Sequence, residues 1–394
     1  MASNGSAIAL TNLAIWDGDQ RLDADCVTLS GSSIVAIGGT DDVPPGTQRI
    51  DCAGATAIPG LMDAHVHMEL DPEHRVPPVK TDPGQRPHMR ERARAMVEAG
   101  ITTARDLGGG AWLEIELREQ IANGESIGPR LLCAGQPITS PGGHCHFWGG
   151  EAADSSAANA VIDRQVDHGV DLIKVMATGG RMTAGSSPRD TQFDLPTLTQ
   201  IVAAAAEHDL PVAAHCHGTR GIEFAARAGV RTIEHCSWVG DGGGWASDYQ
   251  ADIAELIVTQ GAWVSPTINA GWQRMLDNKD QSLVERLRAA YQHMRSLGVP
   301  FAASTDAGIP GVFHHHLPKA LDVFAKIAGF SPEFALQCAT SGAARALRID
   351  HLTGRLQVGL AADVLLVDGD PLADLAALQR PVGVWTRGRP VLAP

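Results

Sequence analysis

Five short stretches carry side chains of the kinds that hold metal ions and move protons. They are "DAHVHM" with His65 and His67, "DLIKVMATGG" with Lys174, "PVAAHCHG" with His215 and His217, "TIEHCSW" with His235, and "STDAG" with Asp306. His65 and His67 stand two apart, so in extended chain both point to one side. Lys174 is the odd member. It sits among Leu172, Ile173, Val175 and Met176, where an ammonium group is costly unless it is paired or loses its charge. Each stretch alone has an ordinary reading, as a hydrogen-bonded core histidine or an aspartate capping a turn. Together, four imidazoles (His65, His67, His215, His235), one carboxylate and one lysine at the ends of five apolar segments do not read as unrelated core features. Histidine-rich sites with a carboxylate suit zinc and similar first-row ions.

The segments that must position these residues recur in one form. An amphipathic or Ala-rich stretch ends at a residue suited to the left-handed helix cap and runs straight into a short β-type segment. The junctions fall at Gly100, Gly169, Asp209, Gly229, Gly261 and Gly298. Between two of them, Leu195, Leu198, Ile201, Val202 and Ala205 share one helical face. With "TAIPGLMDAHVHM" and "PRLLCAGQPIT" the count reaches eight strands. That repetition predicts an α/β fold, a closed (β/α)8 barrel whose C-terminal rim holds the active site. A doubly wound open sheet would normally show a Gly-rich phosphate loop after its first strand, and "DAHVHM" occupies that place.

The ends read differently. Residues 7–58 and the tail from Leu352 contain short alternating runs punctuated by Gly, Asp and Asn. Neither end has enough strands for a stable sheet of its own. We expect residues 1–58 and 352–394 to meet in one small β-sandwich domain beside a barrel spanning 59–351.

Composition narrows the function class. The chain has 394 residues, 44% apolar and 19% charged, with a formal net charge of −14. This acidity, without a basic run, argues against a nucleic-acid partner. No apolar stretch approaches the roughly 20 residues of a membrane span, and the first ten residues do not read as a secretory leader. Seven scattered cysteines form no CxxC pattern and read as reduced core thiols. The expectation is a cytoplasmic, soluble enzyme of a small-molecule substrate, assembled as a homo-oligomer.

The set "GLMDAHVHM", "DLIKVMATGG", "PVAAHCHG", "TIEHCSW" and "STDAGIPG" resembles the amidohydrolase superfamily. Within it the chain is similar to the imidazolonepropionase-like branch with Xaa-Pro dipeptidases and ochratoxin-type amidases. The resemblance implies two divalent ions, zinc by preference. His65, His67 and Asp306 would hold the more buried ion, and His215 and His235 the second. Lys174, carbamylated by CO2, would bridge them. It further implies hydrolysis of an amide-type C–N bond by a hydroxide held between the ions, with Asp306 as general base. The substrate would be an N-acyl amino acid, a dipeptide or a non-peptide amide. Lactone, ester or carbamate hydrolysis at the same ions is the alternative, while Lys174 argues against a one-metal deaminase.

Further candidates surround this set. His144, in "SPGGHCHFWGG", matches a histidine that similar enzymes place beside the substrate carbonyl oxygen, and His146 is a weaker candidate for that role. His217 would share a strand face with His215, in the substrate pocket or behind a ligand. His314 in "VFHHHLP" would line the pocket, and Arg181 would pair with a substrate carboxylate. Trp148, Trp238 and Trp272 are candidates for an apolar pocket wall, and the stretch from Asp241 for a flap. Dipeptidase-like relatives tend to carry a tyrosine after the seventh strand. Here Asn269 stands near that place, which weakens a generic Xaa-Pro or C-terminal amino-acid specificity and leaves a non-peptide amide at least as well supported.

Overall fold

The structure, a computed structural model, describes residues 7–74 and 82–394. Seven parallel strands form its centre: Leu61–Val66, Ile101–Asp106, Arg130–Cys133, Ile173–Met176, Val212–Gly218, Thr232–Val239 and Trp263–Ser265. The first three make one sheet in the order third, second, first, and the other four make a second sheet in sequence order. Side chains on both faces of the first, second and fifth strands are buried throughout. Parallel strands covered by helices show this pattern and therefore read as continuous apolar runs. Helices Arg86–Glu98, Leu113–Ala122, Ser155–Asp167, Leu195–Glu207, Thr219–Ala228, Ala251–Thr259 and Ser282–Ser296 follow the strands in turn.

The sheets meet at both edges. Ile138 bridges Val175, with the Ile138 amide donating to Lys174 O at 2.8 Å and the Met176 amide donating to Ile138 O at 2.8 Å. On the other side Phe301 bridges Val264, and Ala307 bridges Val66. Residues 301–307 therefore occupy the place expected for an eighth strand, but among the described residues they form isolated bridges, these two and one from Ala307 to Ile309, in place of a continuous ladder. The expectation of eight regular strands is corrected here. The end of helix Pro332–Cys338 intrudes beside this segment. The Ala303 amide donates to Cys338 O (2.7 Å) and the Met62 amide to Ala339 O (2.8 Å), so donors that would build a ladder are satisfied elsewhere. The Asp63 carboxylate completes the join by accepting from the Thr305 amide (3.1 Å) and hydroxyl (2.5 Å).

Every predicted helix–strand junction carries a residue with positive φ, from Asp209 at 56° to Gly298 at 92°. Asp209 shows that a short polar side chain tolerates the left-handed cap that glycine usually fills.

Both chain ends contribute to one six-stranded sheet. Its order is Arg389–Leu392, Pro381–Thr386, Val364–Val367, Thr56–Pro59, Ala14–Trp16 and Arg21–Leu22. A four-stranded sheet of residues 8–51 packs with it, since Leu10, Val27 and Ile34 share a cluster with Ala57, Leu366 and Trp385. The chain passes from this sheet to the first central strand at Gly60. A Cβ there would meet Thr102 Oγ1 at 2.1 Å, so only glycine permits the approach.

Candidate active site

The strands end in two groups of ligand atoms. His65 and His67 come from the first strand and its end, and Asp306 from the segment beside it. The Asp306 amide donates to His65 O at 2.9 Å, and the His67 amide donates to Ala307 O at 2.8 Å. The ring nitrogens have defined roles. His65 Nδ1 lies 3.0 Å from Glu234 Oε2, and His67 Nδ1 lies 2.9 Å from Gly108 O. Both partners only accept, Glu234 being held ionised by Arg105, so each Nδ1 carries a proton and, in the neutral form that a metal ligand must take, each Nε2 presents a lone pair. Those two Nε2 atoms are 3.3 Å apart and lie 3.2 and 3.3 Å from Asp306 Oδ1. Three electron-rich atoms without a hydrogen among them repel unless a cation sits at their centre. A tetrahedral zinc site with bonds of about 2.0–2.1 Å has edges of about 3.3–3.4 Å, so this donor set fits such an ion.

The second group is His215, His217 and His235, whose ligating nitrogens lie within 4.8 Å of one another. His215 Nε2 donates to Gly179 O at 3.1 Å, leaving Nδ1 free to ligate. Hydroxyls hold the other two rings: Ser237 Oγ is 2.9 Å from His217 Nδ1, and Thr267 Oγ1 is 2.8 Å from His235 Nδ1. Such outer partners fix the direction in which a metal-binding imidazole points. The groups adjoin, with the His65 and His235 rings 5.2 Å apart. Asp306 (φ 62°), His235 (65°) and Thr267 (54°) all adopt the left-handed region, strain of a kind that concentrates at functional sites.

Lys174 is fully buried, its Nζ has no hydrogen-bond partner among the described residues, and it lies within electrostatic reach of Asp306 and of His215, His217 and His235. Burial pushes its pKa down to about 8, against the partial restoring pull of Glu234 and Asp306.

The remaining candidates fall at different depths. His144 is buried with its ring 4.7 Å from that of His215. Burial and the Lys174 charge lower its pKa to about 4, so it is neutral at pH 7. Gly180 leaves it room, since a Cβ there would meet His144 Nε2 at 2.4 Å. Arg181 is exposed and lies over Trp245 at 4.8 Å, and Trp245 in turn packs 4.8 Å from His217. His146 instead points Nδ1 at Gly143 O (3.0 Å). His314 is buried behind His67, donating from Nε2 to its carbonyl at 3.1 Å.

Among the tryptophans, Trp148 packs on His67 at 5.3 Å, and Trp272 lies partly exposed against the main core. Trp238 is 1% exposed and packs on Tyr249, a core position and not a pocket wall. The Asn269 side chain accepts from the Gly271 amide. The segment after Gly240 is tied back by amide bonds from Ala246 to Ser237 O and from Asp248 to Trp238 O.

Sequence reasoning missed Glu234 and Arg105. Both are charges inside apolar strands, the same signal that singled out Lys174. It also left His217 between pocket and outer roles, whereas the structure groups it with His215 and His235.

Residues 56–391 match the amidohydrolase family, and the chain belongs to it. It is a hydrolase acting on carbon–nitrogen bonds. Family members generally use divalent metal ions. The chain is 27% identical to the ochratoxinase of Aspergillus niger over 432 aligned positions, covering 95% of this chain and 84% of that enzyme. It is 25% identical to the imidazolonepropionase of Salinispora tropica, covering 93% and 92%. A solved structure of a Xaa-Pro dipeptidase with methionine in its active site superposes with a TM-score of 0.84 at 26% identity, covering 98% of this chain and 99% of that one. These likenesses place the chain in the imidazolonepropionase- and dipeptidase-like branch. Among the described residues no helix is long and apolar enough to cross a membrane.

Proposed function

We propose that the protein is a two-metal amidohydrolase cleaving an amide bond whose amine side carries a carboxylate. The observation that carries this reading is the pair of adjoining three-ligand groups with a buried Lys174, unpartnered among the described residues, within electrostatic reach of both. His65, His67 and Asp306 would hold one ion and His215 and His235 the other, with His217 at the second position or against the substrate. Lys174, carbamylated on Nζ, would bridge the pair, and its depressed basicity makes the reactive neutral amine available. Divalent ions, zinc by preference, would acidify water and polarise the substrate carbonyl.

The protein's own groups do the rest. Asp306 takes the proton of the attacking water and delivers it to the leaving nitrogen. Neutral His144 donates a hydrogen bond to the carbonyl oxygen as it gains charge. Arg181, steadied over Trp245, pairs with the carboxylate of the departing amine. Three observations support the scaffold we infer, a (β/α)8 barrel over 59–351 beside a β-sandwich of residues 1–58 and 352–394. They are the edge bridges between the central sheets, the shared end sheet and the solved relatives. The seven free, buried cysteines suit the reducing cytoplasm.

The test pairs metal analysis with matched substrates: an N-acyl amino acid, its carboxyl-blocked analogue and the corresponding ester. About two ions per chain and preferential cleavage of the free-carboxylate amide are expected. Metal content near zero, or cleavage of the ester alone, refutes the reading.

A further inference from the structure

We propose that Glu234 and Arg105 form a positioning pair that sets the tautomer and aim of His65, and through it the metal affinity of the His65–His67–Asp306 group. The inference rests on the two-metal reading. Glu234 lies one residue before His235 in the sixth strand and is wholly buried. Its carboxylate accepts from Arg105 Nη2 at 2.7 Å and Thr232 Oγ1 at 2.5 Å through one oxygen, and from His65 Nδ1 at 3.0 Å through the other. Arg105, in the second strand, also donates from Nε to Ala64 O at 2.7 Å and from Nη1 to Thr232 Oγ1 at 2.9 Å. The network thus ties the first, second and sixth strands together beneath the first ligand group.

A buried ion pair is a poor means of stabilising a fold, because well-packed apolar residues of similar volume usually serve as well or better. What an apolar pair cannot do is accept a hydrogen bond from an imidazole N–H. The two oxygens of Glu234 face opposite ways, one toward donors that only a negative or carbonyl oxygen satisfies, the other toward His65. As long as both are acceptors, His65 must keep its proton on Nδ1 and turn the Nε2 lone pair toward His67 and Asp306. Arg105 supplies the counter-charge that makes a fully buried carboxylate tenable there.

Glu234→Gln isolates this role without changing shape. Arg105 and Thr232 both donate to one end of the side chain, so the amide oxygen must occupy that end. The amide NH2 then faces His65 Nδ1, which can only accept, and the imidazole proton moves to Nε2 where the ion would bind. Losing such an outer partner typically weakens metal binding about 10–100-fold.

The experiment titrates zinc into metal-free wild-type and E234Q protein against a chromophoric chelator, with circular dichroism and thermal melting of both metal-free forms. The expected result is two tight ions in the wild type. In E234Q we expect one tight ion and one weakened by about 10–100-fold, in a metal-free protein that keeps its circular dichroism spectrum but melts at a lower temperature because the buried Arg105 charge loses its partner. Equal affinities overturn the positioning role. A double variant, Arg105→Met with Glu234→Leu, removes the charges together and leaves His65 Nδ1 without an acceptor. It should fold and show the same weakened ion, and wild-type affinity in it also overturns the proposal. If neither variant folds without metal while the wild type does, the pair is a structural element and the proposal fails. Absence of metal from the wild type instead refutes the two-metal reading itself.

Discussion

The burial of Lys174 has a consequence that can be followed in time. With its pKa near 8, about one molecule in ten carries the neutral amine at pH 7; at an ordinary lysine value the fraction is roughly three in ten thousand. The buried lysine therefore has roughly a 300-fold larger reactive population. The perturbation is to strip metal and CO2 from the protein, then restore zinc with 13C-labelled CO2 at a fixed dissolved concentration across a pH series. Carbamate formation is followed by its 13C resonance. Because the neutral form grows as pH rises, the initial rate should climb about fifty-fold between pH 6 and 8 and then only about twofold to pH 9.5. An ordinary lysine would give a rate rising about tenfold per unit throughout, with no plateau. Lys174→Ala should lack the resonance, bind less metal, and recover some activity with short carboxylic acids. A resonance that survives this substitution, or a rate that climbs unbroken to pH 10, would refute the reasoning.

Three further outcomes are expected. Asp306→Asn should reduce turnover by about 10²–10⁴-fold in a protein that keeps its circular dichroism spectrum, and near-wild-type rates would place the base elsewhere. Gly180→Ala puts a methyl 2.4 Å from His144 Nε2; displacing that ring should lower kcat by about 10²-fold with little change in metal content, and unchanged kcat would remove His144 from the reaction. Arg181→Met should raise KM about tenfold or more for a substrate with a free carboxylate, as loss of a charged hydrogen bond does, and leave the carboxyl-blocked analogue unaffected. Equal effects on both would show that Arg181 does not read the carboxylate.

The sequence by itself determined the elements and the chemical types placed at their ends. Helix–strand junctions at Gly100, Gly169, Asp209, Gly229, Gly261 and Gly298 were legible because the left-handed cap is a local property of the chain. The side chains competent to bind metal were legible because charge and imidazole are conspicuous inside apolar strands, Lys174 most of all. The tertiary structure decided the rest. Residues 301–307 run beside the first strand without forming a regular strand because carbonyls at Cys338 and Ala339 take the amides of Ala303 and Met62. That competition comes from a helix later in the chain. His217 joins His215 and His235 because three strand ends converge in space. Glu234 meets His65 across 169 residues and Arg105 across 129. Local periodicity says which way a side chain points along its own strand. Which residues it then faces depends on the register of strands far apart in sequence, and that register sets the tautomers and the spacing of the ligand atoms.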